Sequence, residues 1–492
     1  MPSKNPIFQK SGSDIIYYPI LLIVLAFICY NLAYRITYNW PMVVVQVVGL
    51  NIATAYMWRA FKNPKLLAWT VLFYSFMWSM IARYTFAYLW IKQPFGLGVD
   101  FLMALTLGAI IFSGGRKTPY HLLKNRLVLL SFTWFFFVFL QYFNPFAASR
   151  EAWIYAMRCY ALYLFLSIII VYLLLNTKRD LQIFLIIFIS ISIFGGLYGW
   201  YQLNIGLNFA DSVFIQPKLD RHMLWGKLRV FSIYENAGQA GVSLGHAGLI
   251  STILMVHDKR MKYRIFYFLG MTICFYGMAI SGTRGALVVP ILGLGVYLLF
   301  CRMLWVTVSG GVIGAILLFI LVFTNIGQGN YTINRMRTAF DKNDPSYQYR
   351  LEARRHYQDY MDKHLFGWGI GSAGYWGNRF LGEENYMKGT DGGYVQLHAE
   401  IGRAGLIFYW FYYSFVLGLT FWMLLKSKTS LMYYKILALS CGVIGLLAAN
   451  YGNSVIYQMP SNLLVSISLA YMWLARTWMK GQEFPKFQSN FD

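Results

Sequence analysis

Residues 178–203 read KRDLQIFLIIFISISIFGGLYGWYQL, a short charged group followed by 23 residues without a charged side chain. A mostly apolar stretch of about 18 residues or more is long enough to cross a bilayer as a helix. The same character runs through the whole chain of 492 residues, which is 58% hydrophobic and only 12% charged. Soluble domains carry about 25% charged residues. The sequence therefore predicts an integral membrane protein.

Comparable apolar segments recur along the chain at short intervals. They predict an all-α, polytopic helix bundle of about 12–14 transmembrane helices. The number stays open because segment 285–301 is short for a span and segment 392–425 is long. The candidate spans are 15–32, 40–58, 67–91, 97–112, 127–143, 153–175, 181–203, 238–256, 265–281, 285–301, 304–325, 392–425, 433–449 and 461–475.

Lysine and arginine side chains gather in every second gap between these spans. Cytoplasmic loops of membrane proteins attract such residues, so the pattern predicts an orientation with both termini in the cytoplasm. This layout accounts for the net charge of +23, and no nucleic-acid partner is expected. The cations of the predicted cytoplasmic side include Lys62, Lys65, Lys117, Lys178, Arg179, Lys259, Arg264, Lys428 and Arg476.

Two extended polar stretches, 204–237 and 326–391, fall on the opposite, extracytoplasmic side. Loops of this size give a catalytic or binding site room to form outside the bilayer. The predicted organisation is an N-terminal transmembrane bundle (1–203), a first large loop (204–237), transmembrane helices (238–325), a second large loop (326–391), and C-terminal transmembrane helices with a cytoplasmic tail (392–492).

The second large loop carries a helix signal of its own. Asp344 and Pro345 fit an N-cap followed by proline at the first helical position, and Arg350 and Arg354 lie one turn apart in the segment that follows. An amphipathic helix on the outer membrane face is predicted here. The next residues, GWGIGS at 367–372, predict a flexible turn.

Several charged residues lie inside predicted spans. Arg83, Asp100 and Arg158 fall toward the outer ends of their spans. Glu400 and Arg403 are three residues apart and are predicted to share one helical face. Charges inside a bilayer are costly and mark functional sites by default. The alternative interpretation is that they form structural ion pairs within the bundle.

Two loop arginines have the chemistry of an anion site. Arg229 precedes the span that begins near 238, and Arg284 stands in a tight turn, SGTRG at 281–285. A guanidinium group keeps its charge and presents a planar fork of donors that suits phosphate oxygens. Two such groups at the membrane surface predict a binding site for a lipid pyrophosphate. Ordinary contact with lipid headgroups is the alternative.

Asp391 stands where the second large loop returns to the membrane, in GTDGGY at 389–394. A carboxylate here can take a proton from a sugar hydroxyl, and it is equally suited to cap the following helix. His398 lies seven residues further on, which places it on the same helical face. The candidate substrate-binding residues of this half of the chain are Arg350, Arg354, Tyr394, His398, Glu400 and Arg403.

Together these stretches resemble the O-antigen ligase and O-antigen polymerase family of bacterial membrane glycosyltransferases. The resemblance covers roughly 200–450 of the chain. Its pieces are Arg229 with Ser232 and Asn236, the turn SGTRG at 281–285, Arg350, LFGWG at 365–369, and the stretch 391–406, which ends in EIGRAGL.

The resemblance implies a metal-independent glycosyltransferase of the GT-C type, without a cofactor, in the bacterial cytoplasmic membrane with its active site facing outward. It implies a glycan on undecaprenyl pyrophosphate as donor, a glycan or lipid core as acceptor, contact with membrane lipid, and a chain-length regulator or flippase as partner. By matching motifs, the two arginines that flank the pyrophosphate in the ligases fall on Arg229 and Arg284. The histidine of the ligases falls on Asp391.

The leading interpretation is polymerisation of lipid-linked repeat units into a surface polysaccharide, an O-antigen or exopolysaccharide. An acidic residue at 391 is more similar to the polymerases than to the ligases. Attack opposite the leaving group predicts inversion at the anomeric carbon. The alternative is ligase-type transfer to a lipid A core, a protein or another acceptor. A transporter or flippase for lipid-linked sugars is the rival from another class, and the concentration of candidate residues on one side disfavours it.

Overall fold

The structure is a computed structural model, and it describes residues 51, 54–90, 94–114, 118–224, 226–340, 348, 351–352, 355, 358, 363–385 and 392–482. The regular structure of these residues is helical apart from one short two-stranded hairpin. The predicted all-α, polytopic membrane fold is confirmed.

The helices run in close succession, and short 3-10 turns join several of them. The hairpin pairs β1 (Met223–Leu224) with β2 (Lys227–Leu228) in antiparallel fashion. A π-helical turn, Arg158–Leu162, joins α4 to α5. The α-helices are α1 Pro64–Leu89, α2 Leu97–Gly114, α3 Arg126–Leu140, α4 Arg150–Met157, α5 Tyr163–Leu174, α6 Lys178–Asn204, α7 Phe209–Ile215, α8 Leu219–His222, α9 Ala237–His257, α10 Met261–Ile280, α11 Val288–Phe300, α12 Leu304–Phe323, α13 Tyr331–Arg337, α14 Gly374–Asn385, α15 Gly393–Lys426, α16 Leu431–Ala449 and α17 Ser461–Trp478.

Within the described residues, nine helices have the length and composition of a membrane span, and the apolar helices Leu97–Phe112 and Arg284–Phe300 are shorter. Every predicted span from 67–91 onward coincides with a helix. The predicted span 15–32 and most of 40–58 lie outside the described residues. The total number of spans therefore stays a prediction.

Local sequence signals set where the spans begin. Helix α6 opens with a capping box: Thr177 Oγ1 accepts from the Asp180 N–H at 3.1 Å, and the Asp180 carboxylate accepts from the Thr177 N–H at 3.1 Å. This arrangement satisfies two of the backbone donors that a helix start leaves open. Lys65, in the first turn of α1, binds the same carboxylate at 2.9 Å. The pair ties α1 to α6 at one end of the bundle.

Burial differs sharply between the spans. Helices α9 and α16 form the centre, and 78% of the apolar stretch of each is buried. Helix α12 is the opposite case, with 0% of its stretch buried, and most of its surface is left uncovered by the rest of the protein. Lipid tails are as apolar as leucine, so such a helix loses nothing by exposing its side chains to the bilayer.

Four of the charged residues in or beside the spans form two ion pairs. Arg83 on α1 binds Asp211 on α7 at 2.7 Å, and both side chains are almost fully buried. Arg158 binds Asp100 on α2 at 2.7 Å in a more accessible position. Burial of a charge is tolerated when it is paired and hydrogen-bonded. For these residues, the structural interpretation of the intramembrane charges is confirmed.

The two ion pairs give a matched test of stability. Asp211→Ala leaves the Arg83 guanidinium buried without its carboxylate, and loss of one partner of a buried pair costs about 3–5 kcal/mol. Asp100→Ala removes a pair whose side chains are 14% and 25% exposed, so water compensates for part of the loss. We expect a clearly lower unfolding temperature for Asp211→Ala than for Asp100→Ala, measured by thermal unfolding in one detergent. Equal losses would contradict this ranking.

Candidate functional site

Arg229 lies directly after the β1–β2 hairpin of the first large loop. Its backbone N–H donates to His222 O at 2.8 Å and so extends the hairpin by one residue. Val230 and Phe231 follow as buried residues that anchor the segment. The Arg229 side chain reaches the turn between two membrane helices, where Nη2 donates to Thr283 Oγ1 at 3.4 Å.

A buried hydrogen-bond network fixes the backbone three residues after Arg229. The Ser232 N–H donates to Gln202 Oε1 at 2.8 Å, and Arg83 Nη2 donates to Ser232 O at 2.8 Å. Ser232 has φ 54, in the left-handed region that costs energy for a residue other than glycine. Helices α1 and α6 supply the bonds that hold this conformation. The position of Arg229 is therefore set by helices inside the bundle.

Arg284 opens the 3-10 turn Arg284–Leu287, directly after the end of α10. Its neighbour Thr283 donates from Oγ1 to Ala237 O at 2.8 Å, which ties the turn to the first residue of α9. Arg284 Nη1 donates to Thr338 Oγ1 at 3.4 Å. Because Arg229 also contacts Thr283, the structure brings both predicted arginines to one turn. We call the side of the bundle at which α9 begins the site side.

A third arginine, Arg335 on α13, holds the same turn. Its Nε donates to Gly282 O at 2.6 Å. Thr338, which contacts Arg284, lies three residues after Arg335 and donates to the Arg335 carbonyl at 2.9 Å. Helix α13 and the residue that follows it therefore contact the turn on either side of Thr283. This packing concentrates guanidinium groups from three separate stretches of the chain around a few residues.

The segment 450–453, between α16 and α17, joins the arginine turn to the start of α15. The Gly393 N–H donates to Asn450 O at 2.8 Å. A Cβ placed at Gly392 would lie 2.6 Å from Tyr451 O, and one placed at Gly285 would lie 2.8 Å from Asn453 Nδ2. Close approach of this kind requires glycine. Both predicted stretches thus pack against the same four residues.

The remaining predicted residues of the second half fall into two groups. Asp391, Arg350 and Arg354 lie outside the described residues. Tyr394 is partly buried, donates from its hydroxyl to Leu447 O at 2.7 Å, and stacks on Trp410. His398 is also partly buried on α15.

The prediction that Glu400 and Arg403 share one helical face is wrong. Helix α15 bends at Gly402, which has φ 67 and ψ −170. As a result, Glu400 is fully buried whereas Arg403 is exposed. A bend inside a membrane helix frees backbone groups that must find other partners. Here the Ala404 N–H donates to Leu365 O at 3.1 Å.

The stretch GWGIGS at 367–372 packs tightly into the bend of α15 and is not the flexible turn predicted from its glycines. We call this stretch the glycine wedge. Gly367 lies so close to Gly402 that neither position has room for a Cβ. The Trp368 N–H donates to Ala399 O at 2.9 Å. Glu400 Oε1 accepts from the Ala373 N–H at 3.2 Å. The loop therefore occupies the bend of α15, and Glu400 serves there as a buried acceptor.

A stack of tyrosines lies beside this wedge. Tyr160 and Tyr457 are nearly parallel, with 4.6 Å between ring centroids. Tyr457 lies in the loop between α16 and α17, and burial raises the pKa of its hydroxyl well above the ordinary value. It therefore stays neutral and acts as a packing group. Within the described residues, no group of three or more His, Cys, Asp or Glu side chains has an arrangement that holds a metal ion.

Comparison with known proteins identifies one region of the chain. Residues 269–410 match the family described as O-antigen ligase. The predicted resemblance to the O-antigen ligase and polymerase family is confirmed for this region, and the match supports a glycosyltransferase-like enzyme. No curated protein matches the chain.

The matched region runs from the middle of α10 to the middle of α15. It contains Arg284, the third arginine Arg335, the glycine wedge and Glu400. Arg229 lies before the matched region and reaches it through Thr283.

Sequence reasoning missed Arg335, Thr338 and the 450–453 segment. Arg335 and Thr338 lie more than fifty residues from the turn they contact, and nothing in their local sequence points to it. Asn450 and Asn453 are polar residues in a short gap between apolar segments. The clustering of asparagine and glycine at 450–453 was the one local signal that this gap packs tightly against other backbone.

Two substitutions test the role of Glu400 as a buried hydrogen-bond acceptor. Glu400→Ala removes the acceptor of the Ala373 N–H, and an unsatisfied buried donor costs about 1–3 kcal/mol. Glu400→Gln keeps an amide oxygen at the same position and is the matched control. We expect the alanine variant to unfold at a lower temperature in detergent and the glutamine variant to stay near the wild type. If both variants lose the same stability, the acceptor role is refuted.

Proposed function

We propose that this protein transfers a glycan from undecaprenyl pyrophosphate to the terminal sugar of a second lipid-linked glycan, and so polymerises repeat units into a surface polysaccharide. The reaction takes place at the outer leaflet of the bacterial cytoplasmic membrane. The match of residues 269–410 to the O-antigen ligase family supports the class of enzyme. The choice of donor, acceptor and membrane side is our proposal.

One observation carries the proposal: Arg229 and Arg284 are brought to a single turn at the site side. Arg229 arrives from the first large loop and Arg284 from the α10–α11 connection. Guanidinium groups recognise phosphate oxygens through a planar fork of donors. Convergence from two stretches about 54 residues apart favours a built anion site over separate contacts with lipid headgroups.

The proposed chemistry is a single displacement. The acceptor hydroxyl oxygen attacks the anomeric carbon of the donor sugar, and the bond from that carbon to the pyrophosphate oxygen breaks. Undecaprenyl pyrophosphate leaves with the bonding electrons, and Asp391 takes the proton of the hydroxyl. Arg229 and Arg284 stabilise the charge that develops on the leaving oxygen. Attack from the opposite side inverts the anomeric configuration, and no metal ion is required for charge stabilisation.

The other predicted residues have supporting roles in this proposal. Arg350 and Arg354 guide the glycan or its phosphates. Asp391 directly precedes Gly392, which packs against Tyr451 beside the arginine turn. Tyr394, His398 and Arg403 follow on α15, which continues from that point into the bundle.

Ligase-type transfer is the second candidate, because the matched family is described as O-antigen ligase. In that reaction the finished glycan moves to a lipid A core, a protein or another acceptor. The same arginines would serve. We prefer the polymerase reaction because the ligases that the sequence resembles carry a histidine where this chain has Asp391.

A transporter for lipid-linked sugars has less support. Transporters use charged residues at the middle of the bilayer, reached alternately from both sides. Here the buried Arg83 is paired with Asp211, and Arg158 is paired with Asp100. The residues with anion-binding chemistry lie at the site side, which suits an enzyme at one membrane surface.

Removal of either arginine tests the role of the turn. We expect Arg284→Ala and Arg229→Ala each to lower the rate of glycan transfer by roughly 100- to 1,000-fold, the usual loss when one group that stabilises a developing negative charge is removed. Lysine at either position should recover part of the rate, because it restores the charge without the planar fork. The measurement is product formed from lipid-linked glycan by the purified protein in proteoliposomes.

Arg264→Ala is the matched control for these variants. Arg264 is exposed in the first turn of α10, at the end of the helix that points away from the site side. Its loss should leave the rate unchanged. Normal polymer from Arg284→Ala protein that is folded in the membrane would refute the proposed role.

The nature of the product separates the two candidate reactions. A polymerase supplied only with purified lipid-linked repeat units has both donor and acceptor, so we expect a ladder of products that differ by one repeat. A ligase forms no ladder until a lipid core or another acceptor is added. The readout is gel electrophoresis of the glycan after release from the lipid. A single product that appears only with added lipid core would replace our proposal with the ligase reaction.

A further inference from the structure

An open cleft of about 460 Å³ lies beside the arginine turn. It forms where the chain leaves α12 and enters α13. Four polar side chains line it: Gln328, Asn334, Arg337 and Thr338.

The walls of the cleft are held in place by a network of hydrogen bonds. Arg337 Nε donates to Leu321 O at 2.9 Å, and Nη2 donates to Ile326 O at 3.0 Å. Its Nη1 donates to Asn334 Oδ1 at 3.4 Å. The Asn334 amide also donates to Gln328 O. A polar site that is fixed before a ligand arrives loses less entropy on binding.

The chemistry of the cleft suits a carbohydrate. Sugar hydroxyls donate and accept hydrogen bonds, and amide side chains such as those of Gln328 and Asn334 offer both functions in one plane. The Thr338 hydroxyl adds a further donor and acceptor. Among the residues that the structure describes, the four side chains that line the cleft are all polar. A polar ligand rich in hydroxyl groups fits these side chains better than a lipid chain does.

The cleft is contiguous with the proposed pyrophosphate site. Thr338 forms part of its wall and accepts a hydrogen bond from Arg284 Nη1 at 3.4 Å. Arg335, one turn earlier, holds Gly282 of the same turn. A sugar bonded to a pyrophosphate at Arg284 therefore lies next to the cleft, because Arg284 contacts Thr338 in the cleft wall.

The surrounding surface suits a donor that is lipid at one end and glycan at the other. Helix α12 has no fully buried residue in its apolar stretch and ends at Phe323, shortly before the cleft. A polyprenyl chain can lie along this helix while its headgroup reaches the arginine turn. The cleft then receives the part of the donor that leaves the membrane.

We propose that this cleft binds the sugar residues next to the pyrophosphate of the donor, with Gln328 and Asn334 as the residues that read their hydroxyls. The inference rests on the proposed function, because it assigns the glycan end of the same donor. It adds a carbohydrate subsite to the anion site at Arg229 and Arg284. In this proposal, Arg229 and Arg284 bind the phosphates, and neither Gln328 nor Asn334 is needed for that binding.

Binding of two lipids that differ only in their glycan tests the inference. The probes are lipid-linked glycan extracted from the membranes of the producing cell and sugar-free undecaprenyl pyrophosphate, each titrated into protein in nanodiscs. A hydrogen bond contributes about 1 kcal/mol, so we expect Gln328→Ala and Asn334→Ala each to weaken binding of the glycan lipid about fivefold, and the double variant about 20-fold. Binding of the sugar-free lipid should change less than twofold.

Gln482→Ala is the matched control, since Gln482 is an exposed glutamine beyond the end of α17. It should leave both affinities unchanged. The inference is overturned if the double variant binds the glycan lipid as tightly as wild type does. It is also overturned if both lipids are weakened equally, because the variants then act on the headgroup or on folding. Thermal unfolding of each variant identifies the latter case.

The same measurements distinguish failure of the inference from failure of the proposed function. If the wild-type protein forms polymer but the variants bind glycan lipid normally, the subsite is wrong and the function stands. If the wild-type protein binds glycan lipid selectively through Gln328 and Asn334 but transfers no sugar, the subsite stands and the proposed reaction is wrong. If the wild-type protein binds neither probe, both are refuted.

Discussion

The buried guanidinium group of Arg83 is the interaction on which the site depends. It has almost no contact with water, so it must be paired and hydrogen-bonded within the protein. The Asp211 carboxylate provides the charge, and the Ser232 carbonyl accepts a further bond. The group therefore locks two parts of the first large loop onto α1. Arg229 lies three residues before Ser232, so the position of Arg229 depends on the hydrogen bonds that Arg83 makes.

Satisfaction of backbone groups explains the second half of the site in the same way. The bend of α15 at Gly402 would be costly in a bilayer if its freed backbone groups had no partners. The glycine wedge around Gly367 provides them, and the buried Glu400 accepts a bond from the wedge in return. The bend and the wedge are thus one unit. Together they set the direction in which the first turns of α15 leave the 450–453 segment.

Much of the fold was predictable because hydropathy and charge act over short distances along the chain. Each predicted span from 67–91 onward corresponds to a helix, since about twenty apolar residues admit few other structures in a bilayer. The convergence of Arg229 and Arg284 could be proposed because both lie in loops on the same predicted side. The contact of Arg335 with Gly282 spans 53 residues and depends on how α13 packs, which no local pattern encodes.

The errors have the same origin. Glycines in GWGIGS are compatible with flexibility when read locally, and only the packing against Gly402 shows that close approach is their role. Glu400 and Arg403 share a face on a straight helix, but the bend between them separates the two side chains. In both cases a local rule failed where two distant segments meet. Such meeting points in this protein coincide with the parts of the chain that hold the arginine turn and the start of α15.

The distribution of burial completes the physical argument. The donor that we propose, a lipid with a polyprenyl chain and a hydrated glycan, needs a protein surface that changes from apolar to polar over one membrane leaflet. Helix α12 provides the apolar part, with none of its apolar stretch buried, and the polar residues after Phe323 provide the other. The arginine turn lies at the boundary, because Arg284 contacts Thr338 in the polar part. A charged diphosphate is the one portion of such a lipid that must sit at this boundary, which is where the guanidinium groups converge.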